Sequence, residues 1–265
     1  MSRAMARSRP APRDDLARPG WMTALQHACV YLSFLGLAAV YTWPLVTNLG
    51  GLLPPNGDPR LFSWVLLTIF GNLTTRPALL FHGNAFYPFG NTLSFAEPLL
   101  VPALVTGPLH AWTGNPVLAY NVTLLLFWAL SGWAMYWVAW RVTGSRPAAF
   151  LAGMIFTFAP YRIDHYMEFQ LEMAFGIPLA IYALVRFLET QRGRYLVALV
   201  ATFWIQAASV WYYAIILSLE KISALARPDN SPPAPAAGSW RGPGPAGRTR
   251  LGGQSYGTLL FMRSP

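Results

Sequence analysis

Charged side chains are scarce in this sequence of 265 residues. Asp, Glu, Lys and Arg make up 11% of it, whereas soluble domains carry about 25%. No formal charge occurs from Trp21 to Gly57, from Pro98 to Trp140 or from Tyr195 to Leu219. A run of about 20 apolar residues is long enough to cross a bilayer. Several such runs exclude an ordinary soluble domain and predict a polytopic membrane protein.

Cysteine and nucleotide-binding motifs are also missing. The single cysteine, Cys29, excludes a disulfide framework and a CxxC metal site. No P-loop and no GxGxxG follows a strand pattern, so the sequence offers no site for a soluble nucleotide. The net charge of +9 comes almost entirely from Arg. It does not imply nucleic acid as a partner, because membrane proteins collect Arg at the cytoplasmic ends of their helices.

The apolar runs predict an all-α membrane bundle with about five transmembrane helices. Two of the predicted spans are short, and we expect them to extend into flanking polar turns, with Arg162 and Arg186 reaching the interface. The predicted spans are Ala24–Pro44, Val117–Trp140, Ala148–Pro160, Met173–Val185 and Tyr195–Leu219.

The apolar segment 98–113 is ambiguous because Pro98, Pro102 and Pro108 interrupt it. If it spans the membrane, the Arg-containing turns at 141–146 and 192–194 lie outside. If it lies at the interface, both turns lie inside, in agreement with the positive-inside rule. We adopt the second interpretation. It leaves a large outer loop, Leu45–Asn115, with a second interfacial helix at 61–73.

Composition divides the chain into three parts. Residues 1–20 are Pro-rich and basic and predict a cytoplasmic disordered tail, from which the first helix runs outward across the inner (plasma) membrane. Residues 21–220 form the transmembrane domain. Residues 221–265 are rich in Pro and Gly and predict a second disordered tail. The abrupt change predicts a truncated or frame-shifted protein, or one half of a split protein that needs a partner subunit.

Ionisable residues gather between two apolar runs in "FAPYRIDHYMEFQLEMAFGIPLA", residues 158–180. If 163–188 is one helix, Asp164, Glu168 and Glu172 fall on a single stripe, and His165 lies three residues before Glu168. Ionisable residues at membrane depth generally face a cavity and mark a functional path. Alternatively, the acids only favour a helix N-terminus through its dipole, while Arg162 reaches the interface.

The first outer loop supplies two further acids. Asp58, in "PPNGDPRLFSW", is the only acid before Glu97 in that loop, and Arg60 follows it closely. A turn is one interpretation, since Gly, Asp and Pro are turn formers. A functional site shared with the second polar segment is the other.

The order of landmarks resembles bacterial membrane proteins of the GT-C glycosyltransferase superfamily. The landmarks are "GD" in the first loop, "FYPFGNTL", "NPVLAYN" and "LSGWAMYWVAWRVTGSRPAAFLAGMIFTFAPYR", with a His three residues later. They are Gly, Pro and aromatic positions more than a catalytic signature, and they cover roughly residues 24–215. Such enzymes move a sugar from a polyprenyl-phosphate donor to an extracytoplasmic acceptor.

The resemblance implies roles for particular residues. By position Asp58 corresponds to the catalytic first-loop acid. Further loop acids in the superfamily help to bind a divalent metal or the lipid phosphate. The metal would be Mg²⁺, Mn²⁺ or Zn²⁺, and the corresponding residues are Glu97, Asp164 and Glu168. The cations available for the phosphate are Arg60, Arg162 and His165. Many relatives have paired acids in the first loop, whereas Asp58 is followed by Pro59 and Arg60.

Two classes of function remain open. The first is a glycosyltransferase that uses a polyprenyl-phosphate sugar, or an inactive remnant of one. The second is a non-enzymatic membrane protein, either a transporter fragment or a scaffold subunit. A transporter favours acids near the membrane midplane and inverted repeats. The sequence shows no internal repeat and its acids flank the spans, which favours the first class.

Overall fold

The computed structural model describes residues 20–55 and 57–225, and the side chains of residues 22–55 and 57–218. The described part is helical over 78% of its length and contains no strand. The chain divides into two units between Ile222 and Ser223, and the account below concerns the first. The predicted tail at 1–19 and the predicted tail beyond Leu225 lie outside the described residues.

Ten α-helices follow one another in the described part. They are α1 (Gly20–Tyr41), α2 (Asp58–Thr75), α3 (Leu100–Thr113), α4 (Pro116–Thr143), α5 (Arg146–Thr157), α6 (Pro160–Asp164), α7 (Phe169–Glu172), α8 (Gly176–Thr190), α9 (Gly193–Ser209) and α10 (Trp211–Leu225). The last helix continues to Leu225, five residues into the predicted 221–265 tail.

Three apolar stretches are long enough to cross a membrane: Met22–Tyr41, Pro116–Thr143 and Phe169–Thr190. The first two are single helices and agree with the predicted spans within a few residues. The third is interrupted, because residues 173–175 between α7 and α8 are not helical. The structure therefore indicates a helical membrane bundle.

The longest helix, α4, is the centre of the bundle, and α1 runs antiparallel to it. The His27 ring near the start of α1 packs edge-on against Trp140 near the end of α4, at a centroid distance of 5.6 Å. Helix α5 returns along both. The Phe34 ring fills the space where Gly132 of α4 faces Gly153 of α5, and any Cβ at either glycine would clash with it. This packing requires Gly at both positions.

Helices α2 and α3 come from the predicted outer loop, Leu45–Asn115, and they pack on the first half of α4. Thr106 of α3 donates a hydrogen bond to Thr123 of α4, at 3.0 Å between the hydroxyl oxygens. The Phe70 ring of α2 lies directly over Gly107 of α3. The two helices that sequence placed at 61–73 and 98–113 therefore exist. They are packed together instead of lying as separate elements.

The shorter predicted spans differ from the structure. The predicted span 148–160 corresponds to α5, which has 12 residues and ends at Thr157. The predicted span 173–185 corresponds to α8, which has 15 residues. The predicted span 195–219 is divided into α9 and α10 by an extended residue, Val210. Each apolar run was taken as one helix. Trp128 of α4 donates to the Thr157 carbonyl at the end of α5, and Gln206 of α9 donates to the Met173 carbonyl before α8. Beside Val210, the Trp211 N–H donates to Glu97 in the loop before α3.

The ionisable residues separate toward opposite ends of the bundle. Helix α8 runs parallel to α4. Its middle residue Tyr182 packs against Trp137, which lies toward the end of α4. The turns α4–α5 and α8–α9 therefore share one end, which we call the basic end after Arg141, Arg146, Arg192 and Arg194. The opposite end, the acidic end, carries the start of α2 and the segment between α5 and α7. Its acids are Asp58, Glu97, Asp164 and Glu168.

Candidate functional site

Asp58 begins α2 at the acidic end, and its side chain is exposed, as is that of Arg60. Pro59 is buried at the second position of the helix, where a missing N–H costs nothing. The Gly-Asp-Pro sequence thus starts the helix α2, with Gly57 as its N-cap, and does not form an isolated turn. The helix directs residues three and four positions after Asp58, Leu61 and Phe62, to the same face.

Phe169, in the polar segment 158–180, packs against the helix that begins at Asp58. Its fully buried ring lies 6.4 Å from the Phe62 ring of α2 and 5.1 Å from the Tyr120 ring of α4, measured between centroids. Phe169 directly follows Glu168, and Phe62 lies one helical turn after Asp58. Asp58 also lies within electrostatic range of the Tyr120 hydroxyl. The structure therefore brings the elements of both predicted acid segments together.

Glu97 is hydrogen-bonded to the start of α10. One oxygen of its carboxylate accepts a hydrogen bond of 2.6 Å from the backbone N–H of Trp211, at the start of α10. Two residues later, the Leu99 N–H donates to the Ser209 carbonyl at 3.2 Å. Burial raises the pKa of Glu97, and hydrogen bonds from the Trp211 and Tyr212 amides partly offset that rise. Glu97 thus satisfies free N–H groups at a helix N-terminus.

An open cavity of about 540 Å³ adjoins Glu97. Residues of α2, of the loop before α3 and of α10 form its wall, and aromatic rings stand beside the carboxylate. The lining residues are Leu61, Phe62, Ser94, Phe95, Ala96, Glu97 and Trp211. Asp58 does not line this cavity, but it precedes two of the lining residues, Leu61 and Phe62, by one turn on the same face of α2.

The predicted acid stripe is not formed. The chain makes only a short α6 and a four-residue α7, with turns at 165–168, so Asp164, Glu168 and Glu172 do not follow one helix face. The Asp164 side chain is 86% exposed, whereas Glu172 is 0% exposed. Glu168 is half-buried. The spacing of four residues between these acids would place them on one face of a continuous helix, but the chain forms two short helices there.

His165 lies at the surface beside Tyr161. Its ring stacks on the Tyr161 ring at 4.2 Å between centroids, and Nδ1 lies 2.8 Å from the Tyr161 carbonyl oxygen. A carbonyl oxygen can only accept, so Nδ1 carries the proton in this bond. His165 is thus held in place by its own short helix.

Arg162 and Glu172 form an ion pair inside the bundle. An Nη atom of Arg162 lies 2.8 Å from Glu172 Oε2, and the other Nη donates to the Phe156 carbonyl at 3.1 Å. The Arg162 side chain is 10% exposed. The residue predicted to contact substrate phosphate therefore has an internal carboxylate as its partner.

The broken backbone around Glu172 is held by three polar side chains that sequence reasoning missed, two buried and one half-buried. Ser131, near the middle of α4, donates to the Glu172 carbonyl at 2.8 Å and accepts from the Ala174 N–H at 3.2 Å. Gln206 of α9 donates to the Met173 carbonyl at 2.7 Å and accepts from the Gly176 N–H at 2.9 Å. The signal for Gln206 was a lone amide within the apolar run "FWIQAAS".

Tyr213 of α10 completes the set by donating to the Leu171 carbonyl at 2.9 Å. Non-helical backbone at membrane depth needs protein partners for its polar groups, because lipid supplies none. The segment between α7 and α8 meets that requirement through α4, α9 and α10. It is therefore an internal, fixed element and not a surface loop.

The metal ligands implied by the resemblance were Glu97, Asp164 and Glu168. Within residues 20–55 and 57–225, the structure forms no group of three or more His, Cys, Asp or Glu side chains close enough to share a metal ion. Glu97 faces backbone amides, and Asp164 is exposed. A divalent cation at the acidic end stays a prediction.

The chain was compared with known proteins. It matches no protein-family model, no curated protein and no solved structure. The likeness to the GT-C superfamily therefore rests on the landmarks quoted above, and any function is argued from the chain's own geometry.

Proposed function

We propose that this chain is a membrane glycosyltransferase of the GT-C type, which moves a sugar from a polyprenyl-phosphate donor to an extracytoplasmic acceptor. The observation that supports it best is the junction at the acidic end. There Phe169 lies between Phe62 and Tyr120, so that the helix begun by Asp58 meets the second polar segment beside a cavity. A site assembled from two segments that are distant in sequence is more typical of a transferase than a single surface loop is.

The proposed topology has five spans, with the N-terminus in the cytoplasm and the acidic end outside. The Arg residues of the α4–α5 and α8–α9 turns then lie in the cytoplasm, as the positive-inside rule requires. Helices α2 and α3 cover the acidic end as interfacial helices. In this topology the break at 173–175 is satisfied by neighbouring helices, and the backbone beside the break at Val210 bonds to the loop before α3.

Asp58 is the proposed general base. An acceptor hydroxyl would transfer its proton to the Asp58 carboxylate while its oxygen bonds to C1 of the sugar. The bond from C1 to the phosphate oxygen breaks, and its electron pair leaves with the phosphate. The exposed Arg60 side chain and the His165 ring are the proposed groups that stabilise the phosphate's charge.

The cavity beside Glu97 suits the sugar of such a donor. Phe95 and Trp211 offer exposed aromatic surface, and Ser94 and Glu97 offer polar groups next to it. Binding pockets of this kind are mostly apolar with a few well-placed polar groups. The proposal assigns no step to a metal.

Arg162 takes a different role in this proposal from the one its sequence position implied. Its guanidinium is engaged by Glu172 and by the Phe156 carbonyl. We assign it to holding the broken segment that carries Phe169, and not to contact with the donor phosphate.

The test is sugar transfer in membrane vesicles that contain the full chain. Undecaprenyl phosphate linked to radiolabelled mannose or glucose is added, and label that leaves the donor is counted. Asp58→Asn should lower transfer at least a hundredfold, since general bases contribute about 10²–10⁴-fold. Glu189→Gln, at an exposed ion pair near the basic end, is the matched control and should leave transfer unchanged.

Two results would contradict the proposal. One is equal transfer by the wild type and Asp58→Asn. The other is transfer by the wild type no greater than by vesicles without the protein, with either sugar.

A transport role is the second candidate, and one observation favours it. The ion pair of Arg162 and Glu172 adjoins a backbone segment bonded to Ser131, near the middle of α4. Broken helices and buried charges near the midplane are typical of secondary transporters. Proteoliposomes containing the dye pyranine would test it. A proton flux above that of empty liposomes, lowered by Glu172→Gln, would favour transport.

A further inference from the structure

A further cavity lies beside α2 and shares no lining residue with the cavity at Glu97. Its volume is about 310 Å³. One wall is a face of α2, and the other is the loop that follows this helix. The lining residues are Trp64, Thr68, Asn72, Arg76, His82, Gly83 and Asn84. A helix rises about 1.5 Å per residue, so Arg76 lies about 27 Å from Asp58 along the axis of α2. We call this cavity the loop pocket.

The loop pocket is built by hydrogen bonds between α2 and the loop. The buried Asn72 amide donates to the Leu80 carbonyl at 3.2 Å and to the His82 carbonyl at 2.8 Å. The loop then passes so close to α2 that a Cβ at Gly83 would lie 3.1 Å from the Trp64 ring. Both walls of the pocket are therefore fixed by the fold itself.

Side chains of the loop pocket offer both donors and acceptors of hydrogen bonds. Thr68 donates its hydroxyl hydrogen to the Trp64 carbonyl at 2.7 Å, so its oxygen can accept. Asn72 uses its amide nitrogen in the bonds to the loop, so its side-chain oxygen can accept as well. The exposed His82 and Asn84 side chains supply further donors and acceptors. A ligand with several hydroxyl groups matches this set, because each hydroxyl both donates and accepts.

Arg76 gives the loop pocket one positive charge, and no other lining residue is an Arg, a Lys or an acid. Its side chain is exposed, and its guanidinium has no hydrogen bond or ion pair within the described part of the chain. A guanidinium binds a carboxylate through two parallel N–H bonds. Arg76 balances the single charge of a carboxylate, whereas a phosphate monoester carries about −1.5 to −2 at neutral pH. A ligand with one carboxylate therefore fits the pocket better than a sugar phosphate.

The half-buried Trp64 ring adds an apolar surface beside these polar groups. A sugar ring has the same two-sided character, with apolar C–H groups on its faces and hydroxyl groups around its edge. The volume of the pocket lies at the small end of the range for ligand sites, about 300–1,000 Å³, and suits one sugar unit. We propose that the loop pocket binds a hexuronate, either free or as one unit of a polysaccharide, whose carboxylate accepts two hydrogen bonds from Arg76. Binding here does not depend on sugar transfer at Asp58.

Ligand-observed NMR tests the proposal directly. The full chain is held in phosphatidylcholine nanodiscs and titrated with methyl glucuronide, and saturation-transfer difference signals give the dissociation constant. The wild type should bind saturably. Arg76→Gln should weaken binding about ten- to hundredfold, the effect of losing hydrogen bonds to a charged group. Arg76→Lys keeps the charge without the planar fork and should recover part of the loss. Arg192→Gln, at an exposed Arg of the basic end, is the matched control and should bind like the wild type.

Two other ligands and one further variant separate the alternatives. Methyl glucoside lacks the carboxylate and should bind the wild type about ten- to hundredfold more weakly than the glucuronide. Equal affinity for the two would overturn the contact with Arg76. Tighter binding of glucose 1-phosphate than of the glucuronide would overturn the choice of a singly charged ligand. Weaker glucuronide binding by Arg60→Gln, with Arg76→Gln unchanged, would place the sugar at the acidic end and overturn the loop pocket as its site. So would the absence of saturable glucuronide binding.

His82 gives a second readout that needs no substitution. Diethyl pyrocarbonate modifies accessible histidines, and mass spectrometry of the peptides follows each histidine separately. Saturating methyl glucuronide should slow the modification of His82 severalfold and leave that of His165, at the acidic end, unchanged. An unchanged rate at His82 would contradict binding in the loop pocket.

Discussion

Arg162 and Glu172 are joined by an ion pair of 2.8 Å, with the carboxylate fully enclosed by the bundle. Only ten residues separate them in sequence, yet the chain forms two short helices and a turn between them. The pair thus fixes the shape of the segment that carries Phe169. Removing one charge from such a pair leaves the other buried and uncompensated.

The first prediction concerns this pair. Glu172→Ala and Arg162→Met should each destabilise the protein by about 3–5 kcal/mol. The double variant Arg162→Met/Glu172→Met should recover much of that loss, because no buried charge remains unpaired. Thermal unfolding in detergent measures all three. Single variants as stable as the wild type would show that Arg162 and Glu172 do not form this ion pair in the folded protein.

The second prediction concerns the close approach of α8 to α9. A Cβ at Gly176 would lie 2.5 Å from Gln206 Oε1 and 2.8 Å from Gln206 Cβ. Gly176→Ala should therefore displace Gln206 and break its bonds to both Met173 and Gly176, with a loss of about 1–3 kcal/mol. The measurement is again the unfolding midpoint.

Gly71, inside α2, is the matched control because nothing lies within 4 Å of a Cβ there. Gly71→Ala should be stabilising by up to about 1 kcal/mol, since Ala is the better helix former. Equal effects of the two Gly→Ala changes would mean that Gln206 does not hold the break before α8.

The third prediction concerns Glu97 and pH. Burial raises the pKa of Glu97 above its usual 4.5, so the folded state holds this proton more tightly than the unfolded state does. Its contribution to stability is therefore largest below pH 4.5 and declines as the pH rises through the folded-state pKa. Glu97→Gln keeps an acceptor for the Trp211 amide and does not titrate.

Unfolding midpoints between pH 4 and 8 would show this difference. The stability of Glu97→Gln relative to the wild type should rise with pH from about 4.5 upward. Glu97→Ala should lose about 1 kcal/mol, because the N-terminus of α10 loses its cap. Parallel pH profiles for the wild type and Glu97→Gln would disprove the shifted pKa.

The long helices were predictable from sequence because nothing within them competes with the apolar pattern. Helix α1, and helix α4 as far as Trp140, lie in runs without formal charge, and their ends differ from the predicted ends by only a few residues. The interfacial segments around 61–73 and 98–113 were also found as helices. Whether they lie at a membrane surface stays a prediction.

The breaks were not predictable by the same reasoning. The residues at 173–175 are as apolar as a helix core, and Val210 gives no turn signal. Residues 173–175 leave helical geometry where Ser131 and Gln206 satisfy backbone groups from other helices. Beside Val210, the Ser209 carbonyl and the Trp211 N–H bond to Leu99 and Glu97 in the loop before α3. Hydrophobic periodicity reports burial and cannot report such tertiary hydrogen bonds. For this reason the acid stripe was expected where none exists.

Candidate site residues were found by their chemistry, but their partners were not. Glu97 was named as the second acid of the first loop and, through the resemblance, as a metal ligand, which stays a prediction. Its hydrogen-bond partner, Trp211, is 114 residues away in the chain. Without an assembled fold, nothing in the sequence distinguishes a metal ligand from a helix cap.

The central claim is that the acid-bearing segments lie together on the outer side of the membrane. It is tested most directly by labelling single cysteines in intact cells with a membrane-impermeant maleimide. The background is Cys29→Ser. Asp58→Cys and Asp164→Cys report the acidic end, and Ser145→Cys and Arg192→Cys report the basic end; all four positions are exposed.

The account predicts that both acidic-end cysteines are labelled in intact cells, and that both basic-end cysteines are labelled only after the cells are lysed. Labelling of just one cysteine of the acidic-end pair in intact cells would contradict it, because the two polar segments would then lie on opposite sides of the membrane and could not form one site.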